Sequence, residues 1–346
     1  MVRKRTFLLL GAVGIISLGS FLFVSIAPPQ TAAPGDSAAP LSACGASCSL
    51  VTEPDDGIRP VLEIITHAAK SIDLVMYEFS DPTIEDALGQ AARRGVAVRV
   101  LLSTAYMGEP SAINDPAYET LRAAGVAVRW APNYFDLTHE KSIVADGTRA
   151  LIMTFNLMSR YYPTGRDFGI VDDDANDIAA MEAAFDADWR ESGAAASPGD
   201  SLVWSPGSRN ALLALINHAV QSLDIYNEEM ADAEITAALA RAAARGVTVN
   251  VLMTYAPDWK DAFKTLVAAG VHIRTYPAHP AHATLYIHAK MILADGGIAF
   301  IGSENFSETS LDHNRELGTI ISNPAILRSL AATFTADWRG AKTYQP

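Results

Sequence analysis

The stretch HEKSIVADG at residues 139–147 returns as HAKMILADG at residues 288–296. In both copies a histidine and a lysine stand two positions apart, and on a β-strand this spacing points both side chains to the same face. An Asp-Gly pair follows in both copies, and this pair is typical of a tight hairpin turn. The repeated stretch therefore predicts two equivalent hairpins, each carrying a His-Lys pair.

Further matches extend the repeat on both sides of these hairpins. Residues 91–96 (AARRGV) match residues 242–247 (AAARGV) at an offset of 151, and residues 185–190 (FDADWR) match residues 334–339 (FTADWR) at an offset of 149. Between the matches, short β-branched runs alternate with Ala-rich amphipathic runs. This alternation is typical of a largely parallel sheet that is covered by helices on both sides.

We predict an α/β fold of two repeated α-β-α sandwich halves, at residues 54–199 and 200–346. Each half has a mostly parallel mixed sheet, and a pseudo-twofold axis relates the two halves. Equivalent loops then face each other and build one shared active site. Since both half-sites belong to one chain, a monomer is expected.

Other polar residues recur at matching positions of the two halves. They are Thr154, Asn156 and Asp167 in the first half, and Ser303, Asn305 and Glu316 in the second. If each Asp-Gly pair is a two-residue turn, Thr154 lies opposite His139, and Ser303 lies opposite His288. The carboxylates stand 28 residues after the histidines, where they can accept the Nδ1 proton of an imidazole and leave Nε2 free to act.

The remaining acidic residues are given weaker roles. Asp146 and Asp295 are expected to shape the hairpin turns rather than to act on a substrate. Glu78 and Glu229 also match between the halves, at the end of a strand, and are candidates for the lining of the cleft. No cysteine cluster or HExxH motif has a spacing typical of metal binding, so neither a metal nor another cofactor is expected.

The N-terminus predicts export. Three basic residues at positions 3–5 precede an uncharged, mostly apolar run that ends at Ala27, so residues 1–27 are either a signal peptide or an N-terminal membrane anchor. Residues 28–53 are rich in Ala, Pro, Ser and Gly and are expected to form a flexible linker. In an oxidising compartment, Cys44 and Cys48 of this linker could close a small disulfide loop.

Charge argues against a nucleic-acid partner. The chain has a formal net charge of −13, and beyond residue 49 there are 23 basic and 38 acidic side chains, a net charge of −15. Tight binding to nucleic acid rests mainly on neutralisation of phosphates by lysine and arginine. Nucleic acid is therefore disfavoured as a partner, whereas the location at or beyond the membrane, predicted from the N-terminus, favours a phospholipid at a membrane surface.

The repeated motifs resemble the HxKxxxxD signature of the phospholipase D superfamily. This signature counts Asp146 and Asp295 among the residues of the catalytic motif. The second copy continues with Gly302-Ser303-Glu304-Asn305 and then Asn314-Arg315-Glu316-Leu317-Gly318, which follows the family pattern closely. The first copy departs from the pattern, because Met153-Thr154-Phe155-Asn156 stands where Gly-Ser-x-Asn is usual.

The resemblance implies a two-step reaction that needs no metal. His139, assigned as the nucleophile by analogy, attacks phosphorus and forms a phosphohistidine. His288 protonates the departing alcohol and then activates water or another alcohol. Charge on the pentacoordinate phosphorus would be stabilised by Lys141, Lys290, Asn156 and Asn305.

Several functions fit this chemistry. The leading hypothesis is an exported phospholipase D-like enzyme that hydrolyses phospholipid headgroups through a phosphohistidine and can also transfer the phosphatidyl group to an alcohol. The alternatives are a nuclease-type phosphodiesterase and a cardiolipin-synthase-like phosphatidyl transferase. A catalytically inactive binding module at a membrane is a hypothesis of a different class, and the intact His-Lys pairs in both halves argue against it.

Overall fold

The computed structural model describes most of the chain beyond the N-terminal segment. The described residues are Cys44, 48–106, 109–110, 112–278 and 285–346. The predicted targeting segment (1–27) and most of the predicted linker lie outside them. Among the described residues, no helix is both long enough and apolar enough to cross a bilayer.

The first half is built on an eight-stranded mixed sheet. Seven of its strands precede residue 200 and lie in the order Ser49–Glu53, Gly165–Asp172, Arg149–Met153, Ser142–Ala145, Ser71–Met76, Ala97–Leu102 and Ala127–Trp130. The last three strands run parallel, and the others pair antiparallel. The eighth strand, Tyr286–Ile287, comes from the second half and pairs in parallel with Gly165–Asp172.

The second half repeats this plan. Its eight strands lie in the order Leu202–Ser205, Glu316–Ile321, Ile298–Gly302, Lys290–Ala294, Ser222–Tyr226, Thr248–Thr254, His272–Tyr276 and Lys342–Thr343. As in the first half, three consecutive strands of the sheet run parallel, beginning with Ser222–Tyr226. The hairpin strands beside them pair antiparallel.

Helices cover both sheets. In the described part of the first half they are Arg59–His67, Pro82–Arg93, Asp115–Ala123 and Ala175–Trp189. In the described part of the second half they are Arg209–His218, Ala233–Ala244, Lys260–Ala268, Glu308–Asp312 and Pro324–Gly340. The Asp81 side chain caps Pro82–Arg93 by accepting from the backbone N–H groups of Thr83 and Ile84, and Gly95 follows the helix with a left-handed φ of 90°.

Each half has its own apolar core, and a further apolar core lies between the two halves. Phe168 and Ile170 of the first sheet pack there with Tyr226, Met291 and Leu330 of the second half, and the rings of Phe168 and Tyr226 are 5.8 Å apart. Burial of these side chains on both sheets joins the halves into one body. The predicted fold class, an α/β fold of two repeated halves with mixed sheets, is confirmed.

Two buried ion pairs link the halves reciprocally. Arg166 of the first half binds Asp337 of the second at 2.6 Å, and Arg315 of the second half binds Asp188 of the first at 2.8 Å. The aspartates are equivalent residues of the repeated FDADWR and FTADWR stretches. This reciprocity is the arrangement that a twofold relation between the halves requires.

The flexible linker predicted for residues 28–53 is wrong at its C-terminal end. Ser49–Glu53 is the edge strand of the first sheet and pairs antiparallel with Gly165–Asp172. Cys44 is joined by a disulfide to Cys48, and its backbone N–H donates to the carbonyl of Ile320 in the second half. Alternating buried side chains on this strand, Val51 and Glu53, explain why the segment is ordered.

The predicted register of the hairpins is wrong by one residue. Asp146 and Gly147 do form the turn, with φ values of 57° and 64°, but Ala145 pairs with Arg149 rather than with residue 148. The second hairpin is shifted in the same way, because Ala294 pairs with Ile298. Each loop contains one residue more than the Asp-Gly pair, and the extra residue moves every later partner by one position.

Candidate active site

Each His-x-Lys motif is attached to the opposite half by its backbone. The N–H groups of His139 and Glu140 both donate to the carbonyl of Arg315, at 2.9 Å. In the same way, His288 and Ala289 donate to the carbonyl of Arg166, at 3.2 and 2.9 Å. Since the side chains of these arginines are bound to buried aspartates, the carbonyls that hold the motifs are fixed in place.

The two histidines are oriented by carboxylates of the opposite half. His139 Nδ1 lies 2.7 Å from Glu316 Oε2, and His288 Nδ1 lies 2.8 Å from Asp167 Oδ1. The expected contacts between carboxylate and Nδ1 are thus present, but each of them crosses between the halves. Neither half has a complete site by itself.

The surroundings of His139 favour the neutral imidazole. Burial lowers the pKa of His139 to about 4, with Lys141 and Lys290 adding to this effect and Glu316 opposing it. With Nδ1–H donated to Glu316, the lone pair is on Nε2, for which no hydrogen-bond partner is found among the described residues. His139 can therefore act as a nucleophile at neutral pH.

The two lysines of the motifs lie beside the histidines. The ammonium of each donates to the carbonyl of the histidine in its own motif, Lys141 to His139 and Lys290 to His288. Lys141 is fully buried, and this burial lowers its pKa to about 7, with Glu316 opposing the shift and Lys290 adding to it. Both lysines keep N–H donors that can be directed to a phosphate oxygen.

The predicted hydroxyls do not lie beside the imidazoles. Thr154 donates instead to Asp167 at 2.6 Å and accepts from the N–H of Phe168, while Ser303 accepts from the N–H of Leu317. The one-residue shift in register explains this difference. Thr154 thereby supports the carboxylate that holds a histidine, and the hydroxyl of Ser310 supports Glu316 in the same manner at 2.6 Å.

The matched asparagines bind the matched glutamates. Asn156 Nδ2 donates to Glu78 at 2.9 Å, and Asn305 Nδ2 donates to Glu229 at 3.4 Å. Burial raises the pKa of both glutamates, with Lys141 opposing the shift at Glu78. The amide groups are thus held in position, with one N–H of each still available to a ligand.

Asp146 and Asp295 contact backbone N–H groups rather than His139 or His288. Asp146 accepts from the N–H groups of Ala69, Lys70 and Ser71, and Asp295 accepts from those of residues 220–222. Each carboxylate thereby fixes its hairpin to the start of the neighbouring strand. This geometry supports the interpretation that they are structural residues of the motif.

Replacing Asp146 with asparagine is expected to lower stability and to spare the reaction. The amide keeps an acceptor and the left-handed turn but loses the charge, so the thermal unfolding midpoint should fall by about 2–4 °C. Backbone N–H groups lower the pKa of Asp146 against its slight desolvation, so the difference from wild type should disappear as the pH falls below about 4. A variant that unfolds like wild type but has lost turnover would instead place Asp146 in the reaction.

Sequence reasoning missed an asymmetry between the half-sites. At the offset of 151, Tyr77 aligns with Glu228. The Tyr77 ring packs edge-on against His139, with centroids 4.5 Å apart, and lies under the Lys141 ammonium. Glu228 instead lies 3.1 Å from Lys290 Nζ and 3.5 Å from His288 Nε2. The signal was present in the sequence, since both residues directly precede the matched Glu78 and Glu229.

Two histidines, each held by a carboxylate of the opposite repeat and each followed by a lysine, define a phosphodiester-acting enzyme of the phospholipase D superfamily. The family model described as "Cardiolipin synthase, PLD-like domain" matches residues 61–189 and 212–338, and the chain belongs to this family.

Proteins with similar sequences have names that refer to cardiolipin. The chain is 26% identical over 333 residues to the major cardiolipin synthase ClsA of Bacillus subtilis, which covers 84% of this chain and 68% of that protein. It is 31% identical over 152 residues to the mitochondrial cardiolipin hydrolase of Xenopus laevis, covering 44% of this chain and 69% of that protein.

Solved structures show the same fold. Phosphatidylserine synthase of Haemophilus influenzae superposes with a TM-score of 0.67 at 14% identity, over 87% of this chain and 88% of that one. Polyphosphate kinase of Porphyromonas gingivalis gives a TM-score of 0.65 at 15% identity, over 84% of this chain and 47% of that one. At such identities the likeness concerns the fold alone.

Proposed function

We propose that this protein is a cardiolipin-synthase-like phosphatidyl transferase, which moves a phosphatidyl group from one phospholipid to the hydroxyl of an alcohol acceptor. The observation that supports the chemistry is the pair of histidines, each of which has its Nδ1 atom bound to a carboxylate of the opposite half. The observation that favours lipid is the family match over both repeats, together with relatives named cardiolipin synthases.

In the first step, His139 Nε2 forms a bond to the phosphorus of the donor lipid as the bond from phosphorus to the headgroup oxygen breaks. His288 gives its Nε2 proton to that oxygen, so the headgroup leaves as a neutral alcohol. Lys141 and Lys290 stabilise the added negative charge at phosphorus. The phosphatidyl group is then held on His139.

In the second step, His288 Nε2 takes the proton of an acceptor hydroxyl. The acceptor oxygen forms a bond to phosphorus as the bond from phosphorus to nitrogen breaks, which regenerates neutral His139. Water is the competing acceptor and would give phosphatidic acid. Hydrolysis, the leading hypothesis from sequence, therefore remains the second candidate, and the relative named cardiolipin hydrolase favours it.

We further propose that the protein acts at the surface of a membrane outside the cytoplasm. The basic residues at positions 3–5 and the apolar run that follows them support export. Tyr161 and Tyr286 are 40% and 37% exposed, and the hydroxyl of Tyr286 reaches Glu228 beside His288. Exposed tyrosines close to the histidine cluster suit contact with a lipid–water interface.

Purified protein incubated with phosphatidylglycerol vesicles is expected to form cardiolipin and free glycerol in excess of phosphatidic acid. Single-stranded DNA, offered in a parallel reaction, should remain intact because the protein beyond residue 49 carries a net charge of −15. Lipid products are separated by chromatography and DNA by gel electrophoresis. If phosphatidic acid were the sole lipid product, the protein would be a hydrolase rather than a transferase. Cleaved DNA without any lipid product would overturn the proposal.

A further inference from the structure

The two half-sites are chemically different at one matched position. The first half has Tyr77 against His139, and the second half has Glu228 next to His288. One carboxylate oxygen of Glu228 is 3.1 Å from Lys290 Nζ, and the other accepts from the hydroxyl of Tyr286 at 2.8 Å. At this matched position, only the side of His288 carries a carboxylate.

An ionised carboxylate at this place restricts what can bind there. Burial opposes ionisation of Glu228, but Lys290 and His288 outweigh it and hold the pKa of Glu228 well below its usual range. A carboxylate only accepts hydrogen bonds, so it repels phosphate oxygens and attracts a group that donates. Phosphate must then lie away from Glu228, towards His139 and Lys141.

The charge balance at Glu228 favours a hydroxyl over an ammonium as the donating group. Lys290 already balances the charge of Glu228, so a second cation is not required. Each carboxylate oxygen accepts more than one hydrogen bond, so acceptor capacity is left after Lys290 and Tyr286 are bound. The Glu228 side chain is 26% exposed, which leaves it accessible to a ligand.

We propose that Glu228, positioned by Tyr286, is the binding site for a second hydroxyl of a polyol acceptor; this rests on the proposed transfer function. One acceptor hydroxyl gives its proton to His288 Nε2 and forms the new bond to phosphorus. A neighbouring hydroxyl of the same molecule donates to Glu228 and is not changed. The 3.5 Å between Glu228 Oε2 and His288 Nε2 suits two adjacent hydroxyls. Glu228 thereby selects polyols over simple alcohols and water.

The test compares two acceptors that differ by one hydroxyl, 1,2-propanediol and 1-propanol, at equal concentration with phosphatidylglycerol vesicles. Wild-type protein is expected to transfer to the diol about tenfold faster, and Glu228→Gln should bring this ratio close to one. Tyr286→Phe, which changes a partly exposed side chain, should lower the ratio by a smaller factor. The neighbouring Glu229→Gln serves as the matched control, since Glu229 binds Asn305 and should affect rate without affecting the ratio.

Three results would overturn the inference. The wild-type protein could show no preference for the diol, or Glu228→Gln could keep the wild-type preference. Alternatively, Glu228→Gln could alter the choice between phosphatidylethanolamine and phosphatidylglycerol donors at an unchanged acceptor ratio, which would assign Glu228 to an ammonium headgroup. Failure of the proposed function is recognised separately, because the wild-type protein would then form no transfer product with either alcohol.

Discussion

Alanine at either His139 or His288 is expected to lower phosphatidyl turnover by more than about a thousandfold, because the two imidazoles act in one reaction and neither replaces the other. The matched controls are His67→Ala and His218→Ala. These histidines are equivalent in the two repeats and are exposed at the ends of two helices, where their Nδ1 atoms bind the carbonyls of Glu63 and Ala214. The controls should keep wild-type turnover in the vesicle assay.

A donor with a p-nitrophenol leaving group separates the two roles. This leaving group needs no acid, so His288→Ala should still release a burst of about one equivalent of nitrophenol and then stall as phosphohistidine. His139→Ala should give no burst. Because burial lowers the pKa of His139 to about 4, the burst rate should not fall on the acid side of neutrality until the pH drops towards 4, where His139 becomes protonated. A burst from His139→Ala would reverse the assignment.

Much of the fold could be predicted from the repeat. The equivalence of residues 91–96 and 242–247 located a helix end, a left-handed glycine and a buried strand in both halves, since each feature has a local sequence signal. The register of the hairpins could not be obtained in this way. Asp-Gly specifies the turn, but whether residue 148 belongs to the loop or to the ladder is decided by the packing of the whole sheet.

The sequence predicted which residues form the active site but not which of them contact each other. The carboxylates Asp167 and Glu316 could be selected by their matching positions, whereas the crossing of their contacts depends on the packing of one half against the other. The repeated aspartates that bind Arg166 and Arg315 carry this information, because those arginines directly precede the carboxylates. The motif at 185–190 thus fixes the geometry at His139 through Arg315, an arginine more than a hundred residues further along the chain.

Each histidine contacts a carboxylate of the opposite half, and this arrangement has a kinetic consequence that Glu316→Gln and Asp167→Asn would test. An amide can bind Nδ1 in the wrong tautomer and cannot balance a charged imidazole, so each change is expected to lower turnover about 10²–10⁴-fold. Glu316→Gln should act on His139 and slow the nitrophenol burst. Asp167→Asn should act on His288, keep the burst and slow the decay of the phosphohistidine.

This pattern distinguishes crossed pairs from pairs within one half. If Asp167 served His139 and Glu316 served His288, the two variants would exchange their effects on the burst and the decay. A merely structural role would instead lower the amount of folded protein, which thermal unfolding reports, and would leave the two steps in their wild-type ratio. Since Glu316 also binds Ser310 and Asn314, Ser310→Ala should weaken the burst less than Glu316→Gln and leave the decay unchanged. Each half would thus supply the nucleophile or the base for one step and the carboxylate for the other.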